Sequence, residues 1–256
     1  MESKFEKFME LCDAIKACNR CKLGVTALCG EGDLNARIML IAQSPGRLED
    51  LQQRMFVGPS GRVLDRLLEK AGVDRGEIYM TNLVKCHLPH NRRPKQREIE
   101  ACSDWLEKEI ALIQPEILVP LGYFATKYLF EENGLKIPEK KNFHLVYGKL
   151  IWTGKVKIYP LPHPAFLLYN PQLEEEVMRY YDKLAVLKRE CKWRQVCPMT
   201  RYYQEGRLDR KWIELFCKGD WESCKRYRME EEGIRHPDNM LPDGSIDKTL
   251  TPDVNA

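Results

Sequence analysis

The apolar run Ile38-Met39-Leu40-Ile41-Ala42, broken at once by Gln43-Ser44-Pro45-Gly46, restricts the fold more than any other stretch of the chain. Five consecutive apolar residues cannot line one face of a half-solvated strand. They suit a strand covered on both faces, as in a parallel sheet. We place this strand at Ala36 to Ala42. A short charged loop carrying Glu49-Asp50 follows. A helix then opens at Ser60 as its N-cap, with Val63, Leu64, Leu67, Leu68 and Ala71 on one face and Gly72 as its stop. Open α/β sheets bind ligands beyond the carboxyl ends of their strands, so the site is expected at Gln43–Gly46.

The same alternation recurs. A strand over Ile78–Val84 carries Asn82 close to its carboxyl end, where a buried amide needs a partner in the protein or in a ligand. A helix runs from about Lys95 to Ile113, and a strand over Ile117–Gly122 turns into a helix over Tyr123–Phe130. Residues 131–155 read as irregular with an edge hairpin. A strand over Val156–Pro162 ends at His163, and a helix over about Gln172–Lys188 closes the unit. This pattern predicts an α/β fold, a three-layer α/β/α sandwich with a mostly parallel central sheet, in residues 1–188. Residues 189–256 form a Cys-rich, Trp-containing C-terminal extension.

A formal charge of +3 neither demands nor excludes nucleic acid. The local basic stretches Asn91-Arg92-Arg93-Pro94-Lys95 and Lys225-Arg226-Tyr227-Arg228 read as solvated faces or loops. No apolar run approaches the roughly 18 residues of a membrane span, and the first residues lack the order of a secretory signal. A cytoplasmic protein is expected, associated with the nucleoid when bound to DNA. Its last dozen residues are expected to be mobile.

Ten cysteines are many for such a chain, and a reducing compartment favours metal or cluster ligation over structural disulfides. Cys18 and Cys21 form a CxxC at the end of a helix over residues 8–24. Cys86 follows the second strand, and Cys102 falls on the inward face of its helix with Ile99 and Leu106. Four such thiols suit tetrahedral zinc or a [4Fe–4S] cluster, and spacing does not choose between them. Cys191, Cys197, Cys217 and Cys224 are a second possible metal site, for a cluster or zinc, in a region with too few aliphatic residues for an ordinary core. Packed free thiols are the alternative.

Taken together these residues resemble the family 4 uracil-DNA glycosylases, the iron–sulfur branch of the uracil-DNA glycosylase superfamily. The likeness covers roughly Glu10 to Lys188. It rests on Cys18/Cys21, Gly30-Glu31-Gly32 with Asn35, Pro45-Gly46 with Glu49-Asp50, Phe56-Val57-Gly58-Pro59-Ser60-Gly61, Thr81-Asn82-Leu83-Val84-Lys85-Cys86 and His163-Pro164-Ala165. The resemblance implies a structural [4Fe–4S] cluster on Cys18, Cys21, Cys86 and Cys102. It further implies that the Ala42–Gly46 loop holds the flipped base and the water, with Ala42, Phe56, Asn82 and His163 binding uracil and Gln43 and His163 catalytic. Phe56 would stack on the ring, Asn82 read its amide edge and His163 face O2. DNA contacts are expected from Arg92 and Arg93 and from a wedge drawn from Phe166, Leu167 and Leu168.

One position departs from the family. Gly-Glu-Ala-Pro-Gly is usual where this chain has Ala42-Gln43-Ser44-Pro45-Gly46, and Gln can hydrogen-bond but cannot supply charge; Glu49 and Asp50 are the candidate substitutes, and sequence does not place them. The leading expectation is a monofunctional DNA repair glycosylase that hydrolyses uracil from single- or double-stranded DNA and passes abasic sites to other repair enzymes, acting as a monomer away from membranes. The alternatives are a uracil- or single-strand-binding protein with lost or altered catalysis, a glycosylase for another deaminated base such as hypoxanthine, and a zinc-bound nucleic-acid module.

Overall fold

The computed structural model, which describes residues 2–23 and 25–250, forms its central strands from short buried runs, the longest of which stops at the polar Gln43. Helix α1, Lys4–Lys16, is capped by Ser3, whose side chain accepts from the Glu6 amide while the Glu6 carboxylate accepts from the Ser3 amide. It stops before the CxxC, so Cys18 and Cys21 lie in the loop beyond the helix instead of on it. Gly24, at the expected helix end, lies outside the described residues.

After β1, Glu31–Gly32, the buried strand β2 spans Ile38–Ala42 with all five residues covered. The charged loop is itself helical, α2 over Arg47–Gln52. Helix α3, Pro59–Lys70, begins two residues earlier than expected: Gly58 is the N-cap in place of Ser60, Pro59 fills the first turn, and Ser60 is inside. Proline is favoured there because its missing N–H would have no intrahelical partner. Strand β3 is Tyr79–Asn82, α4 is Gln96–Ile113, β4 is Ile117–Pro120 and α5 is Tyr123–Glu132. A 3₁₀ segment at Lys140–Val146 precedes the two-residue strands β5, Ile151–Trp152, and β6, Lys157–Ile158. The short helix α6, Phe166–Tyr169, and α7, Glu174–Leu187, follow.

The six strands run in the order β1-β3-β2-β4-β6-β5. β2 pairs parallel with β3 and β4 in registers that set Ala42 beside Asn82 and Ile41 beside Pro120, whereas β1 joins β3 antiparallel. The backbone beyond β6 continues the parallel arrangement, since Tyr159 and Leu161 donate to the carbonyls of Leu118 and Pro120. Three carboxyl ends, at Ala42, Asn82 and Leu161, thereby reach one edge of the sheet. The mostly parallel α/β architecture is the one expected.

By contacts the chain divides into one unit of Met1–Lys149 with Ile158–Asp182 and a second of Leu150–Lys157 with Lys183–Ala256. Sequence reasoning set the boundary at residue 188. The second unit holds α8, Pro198–Gln204, α9, Arg210–Trp212, a π turn at Ile213–Cys217, and α10, Lys225–Glu231. It does have a small core, of Met199, Tyr202, Leu208, Ile213, Cys217, Leu241 and Leu250. Of the last dozen residues, 251–256 lie outside the described ones. No helix among the described residues is long and apolar enough to cross a membrane.

The expectation that cysteines avoid disulfides fails at one pair. Cys12, on the buried side of α1, is bonded to Cys29, with their Cα atoms 5.3 Å apart. The two meet because α1 packs the segment before β1 into a common apolar cluster with Ile15, Ala27 and Trp105.

Candidate active site

A cleft of about 860 Å³ at the carboxyl edge of the sheet is lined by Ala42, Gln43, Phe56, Asn82 and His163 together. These are all the residues that sequence reasoning assigned to uracil and to catalysis. Different elements deliver them. Ala42 ends β2, and its carbonyl accepts from the Leu83 amide at 2.8 Å, while the Gln43 carbonyl accepts from Val84 at 2.9 Å. These bonds tie the Gln43 loop to the end of β3. Pro45, next in the loop, offers its carbonyl to His87 Nδ1 at 3.1 Å. A carbonyl can only accept, so that nitrogen carries the proton.

Asn82 is 2 % exposed, and its amide nitrogen donates to Met55 Sδ at 3.2 Å. Phe56 sits in the left-handed region with φ 52° and is nevertheless buried. A side chain in that conformation persists only when its surroundings hold it. Arg75 supplies the hold: its guanidinium donates to the carbonyls of Met55 and Phe56 and pairs with Asp65 at 2.8 Å and Glu31 at 3.3 Å. The Glu31 carboxylate also accepts from the Met55 amide at 3.1 Å. Gly61 admits this turn, because a Cβ there would lie 1.8 Å from the Phe56 carbonyl oxygen.

His163 follows the last parallel bridge of the sheet, Leu121 to Leu161. Gly122, at φ 80°, leaves the room its ring needs; a Cβ there would stand 3.1 Å from the His163 Cβ. The Ala165 amide donates to His163 Nδ1 at 3.1 Å. An amide N–H cannot accept, so Nδ1 is the unprotonated nitrogen and Nε2 bears the hydrogen. Burial lowers the His163 pKa to about 4, which keeps the ring neutral at pH 7. The outcome is a neutral imidazole fixed as an Nε2–H donor.

Sequence reasoning named Glu49 and Asp50 as alternatives for the carboxylate that position 43 lacks, and the structure turns Glu49 into the cleft. Glu49 projects from α2 into the same lining, is 6 % exposed, and its Oε1 accepts from the Gly58 amide at 2.8 Å. The close approach at Gly46, whose Cβ would meet Glu49 Oε2 at 2.5 Å, fixes this carboxylate beside the Gln43 loop. The signal was present in Glu49 following Gly46 by three residues, but only the helical turn aims it inward. The rim was missed: Leu48 and Leu51 from α2 and Tyr169 from α6 are exposed, Leu51 by 68 % and Tyr169 by 84 %.

The DNA-contact expectations are revised in part. Phe166 and Leu168 are exposed at the cleft, but Leu167 is 4 % exposed and belongs to the core, as expected when one residue of a short helix turns toward the protein. Arg93 is exposed, whereas Arg92 makes a two-pronged pair with Glu98 at 2.6 and 2.8 Å, so its guanidinium is committed within the protein.

Cys18, Cys21, Cys86 and Cys102 belong to the same unit and are free thiols. The sulfurs of Cys21 and Cys102 are 3.9 Å apart, and Trp105 Nε1–H donates to Cys18 Sγ at 3.3 Å. Burial, then the neighbouring Cys102, pushes both the Cys21 and Cys86 thiols up to about 12. Free sulfurs gathered from three segments, with an N–H donor on one of them, fit the donor set of a thiolate-bound group. Among the described residues, no three His, Cys, Asp or Glu side chains are arranged to hold a single metal ion. Behind the site, Lys85 and Glu109 form a fully buried ion pair that also engages Thr81, Tyr79 and the Gly30 amide.

The sheet edge and its four converging side chains define an α/β fold of glycosylase type, and the chain belongs to the uracil DNA glycosylase superfamily, whose family model matches residues 29–185. Its relatives place it with the type-4 branch. It is 37 % identical over 182 residues to the type-4 uracil-DNA glycosylase of Saccharolobus solfataricus, covering 68 % of this chain and 83 % of that one. Against the type-4 uracil-DNA glycosylase of Archaeoglobus fulgidus it is 35 % identical over 189 residues, 71 % and 94 % of the two chains. The type-4 uracil-DNA glycosylase of Thermotoga maritima is 38 % identical over 170 residues, 64 % and 85 %.

Proposed function

We propose that this chain hydrolyses the N-glycosidic bond of uracil in DNA and leaves an abasic site. The observation that carries the reading is the single cleft shared by Gln43, Phe56, Asn82 and His163. A base must leave the duplex stack before its glycosidic bond can be reached, and the Phe56 ring offers a face that offsets part of the stacking lost. The Asn82 amide accepts from uracil N3–H and donates to O4. Cytosine presents the reverse pattern and leaves a buried amide unpaired.

As the bond to the sugar lengthens, negative charge collects on the leaving base at O2 while the sugar becomes oxocarbenium-like. The His163 Nε2–H meets the developing charge, and being already oriented it stabilises the transition state more than the ground state. Gln43 orients the water through its amide. Glu49 supplies the carboxylate that position 43 lacks, opposite in sign to the cationic sugar. Uracil leaves as an anion with the bonding electron pair; water adds at the sugar carbon and loses one proton, which the uracil anion takes up. No lysine is among the described residues that line the cleft to form a Schiff base, so the product is an intact abasic strand and the enzyme is monofunctional.

Cys18, Cys21, Cys86 and Cys102 would hold a [4Fe–4S] cluster, which supplies structural cross-linking between the loop after α1, the end of β3 and helix α4. DNA is engaged by the exposed rim of Leu48, Leu51, Phe166, Leu168 and Tyr169 together with Arg93. The test is incubation of the purified chain with uracil-containing oligonucleotides followed by alkali. Strand scission that requires the alkali is expected, and tight retention of the oligonucleotide without scission would favour a binding protein instead.

A further inference from the structure

Cys191, Cys197, Cys217 and Cys224 lie beyond residue 185, outside the stretch that the superfamily model matches. They come from four separate places in the second unit: the start of its C-terminal segment, the residue before α8, the end of the π turn and the residue before α10. All four are free, and all four line one cavity of about 150 Å³. The Cys191 amide donates to the Cys217 carbonyl at 2.8 Å, which ties two of the four together. π turns are rare and concentrate at functional positions; this one ends on Cys217.

The surroundings are those of an anionic centre. Arg226, placed on the surface by sequence reasoning, is 3 % exposed and lines the cavity. Its Nη1 donates to the carbonyls of Pro237, Asp238 and Met240, yet Nε and Nη2 have no partner in the protein. Burying a guanidinium with two unanswered nitrogens is costly unless negative charge is present.

We infer that Cys191, Cys197, Cys217 and Cys224 hold a second iron–sulfur cluster, with Arg226 as its buried counter-charge. A cluster is favoured over zinc on two grounds. Each thiolate of a cluster meets its own iron, which suits four cysteines that line one cavity and, among the described residues, are not gathered about a single metal ion. The pairs are separated by five and six residues, wider than the two to four that structural zinc pairs prefer.

The experiment is iron, acid-labile sulfide and zinc analysis of the full chain, purified without oxygen, alongside Cys191→Ser, Cys197→Ala and Cys18→Ser. The wild type should carry about eight irons. Cys191→Ser and Cys197→Ala should each lose about four irons with matching sulfide, while uracil excision stays within about twofold of wild type. Cys18→Ser reports on the other quartet, so failure of that assignment is read separately. Because these substitutions can also perturb folding, the wild type is tested alone: chelation of iron under denaturing conditions should free eight thiols beyond any that react in the native chain. Iron content unchanged by Cys191→Ser, or zinc lost in place of iron, overturns the inference.

Discussion

The Ala165 amide donates to His163 Nδ1 across 3.1 Å, and this one bond decides which face of the imidazole can serve chemistry. With Nδ1 occupied and the ring held neutral by burial, Nε2–H is the available donor. Replacing His163 with Ala should lower kcat by roughly 10²–10³-fold, the usual loss for one oriented donor at a developing anion, with little change in KM. Single-turnover excision measures it, and a wild-type rate would remove His163 from the mechanism.

The same burial makes a stability prediction with a definite sign. The folded ring takes up a proton only near pH 4, against an ordinary value of 6.5. Between those values the unfolded chain binds more protons, so stability should fall as pH drops from 6.5 toward 4. Denaturant midpoints at pH 7 and pH 5 check this, and His163→Gln should flatten the difference.

Asn82 sits beside Ala42 in the sheet register and is nearly inaccessible. Asn82→Ala should reduce kcat/KM for uracil by roughly a hundredfold or more, because both edge contacts disappear while the ladder is untouched. Thermal melting within a few degrees of wild type distinguishes lost recognition from lost folding.

Glu49 and Gln43 can be separated by charge. Glu49→Gln keeps an acceptor for the Gly58 amide and removes the carboxylate. It should slow excision by roughly 10–100-fold, while Gln43→Glu should restore part of that loss in the double variant. An unaffected Glu49→Gln enzyme would assign the carboxylate to loop structure alone.

Lys85 and Glu109 are both fully buried, and either without the other is an uncompensated charge. Lys85→Met alone should cost about 3–5 kcal/mol, and the double variant with Glu109→Leu should recover much of it. Equilibrium denaturation of the three variants gives the comparison.

The strand ends were legible because each is an apolar run that stops at a polar residue, and parallel pairing then forces Gln43, Asn82 and His163 to one edge. What was not legible depends on orientation within a turn. Leu167 points inward and Leu168 outward on a helix of only four residues, too short to establish a period. Glu49 and Asp50 are equal candidates in sequence, and only the turn of α2 brings Glu49 into the cleft lining. The Cys12–Cys29 bond depends on the packing of α1 against a segment with no regular structure. Arg226 lies in a basic stretch whose charge gives no hint that one guanidinium is internal.

The central claim is tested most directly by single-turnover excision on matched oligonucleotides containing uracil, hypoxanthine or cytosine at one position. The account predicts alkali-dependent scission at uracil, none at cytosine, and loss of the uracil product in His163→Ala and Asn82→Ala. Scission at hypoxanthine with none at uracil, or binding of uracil DNA without any scission, would contradict it.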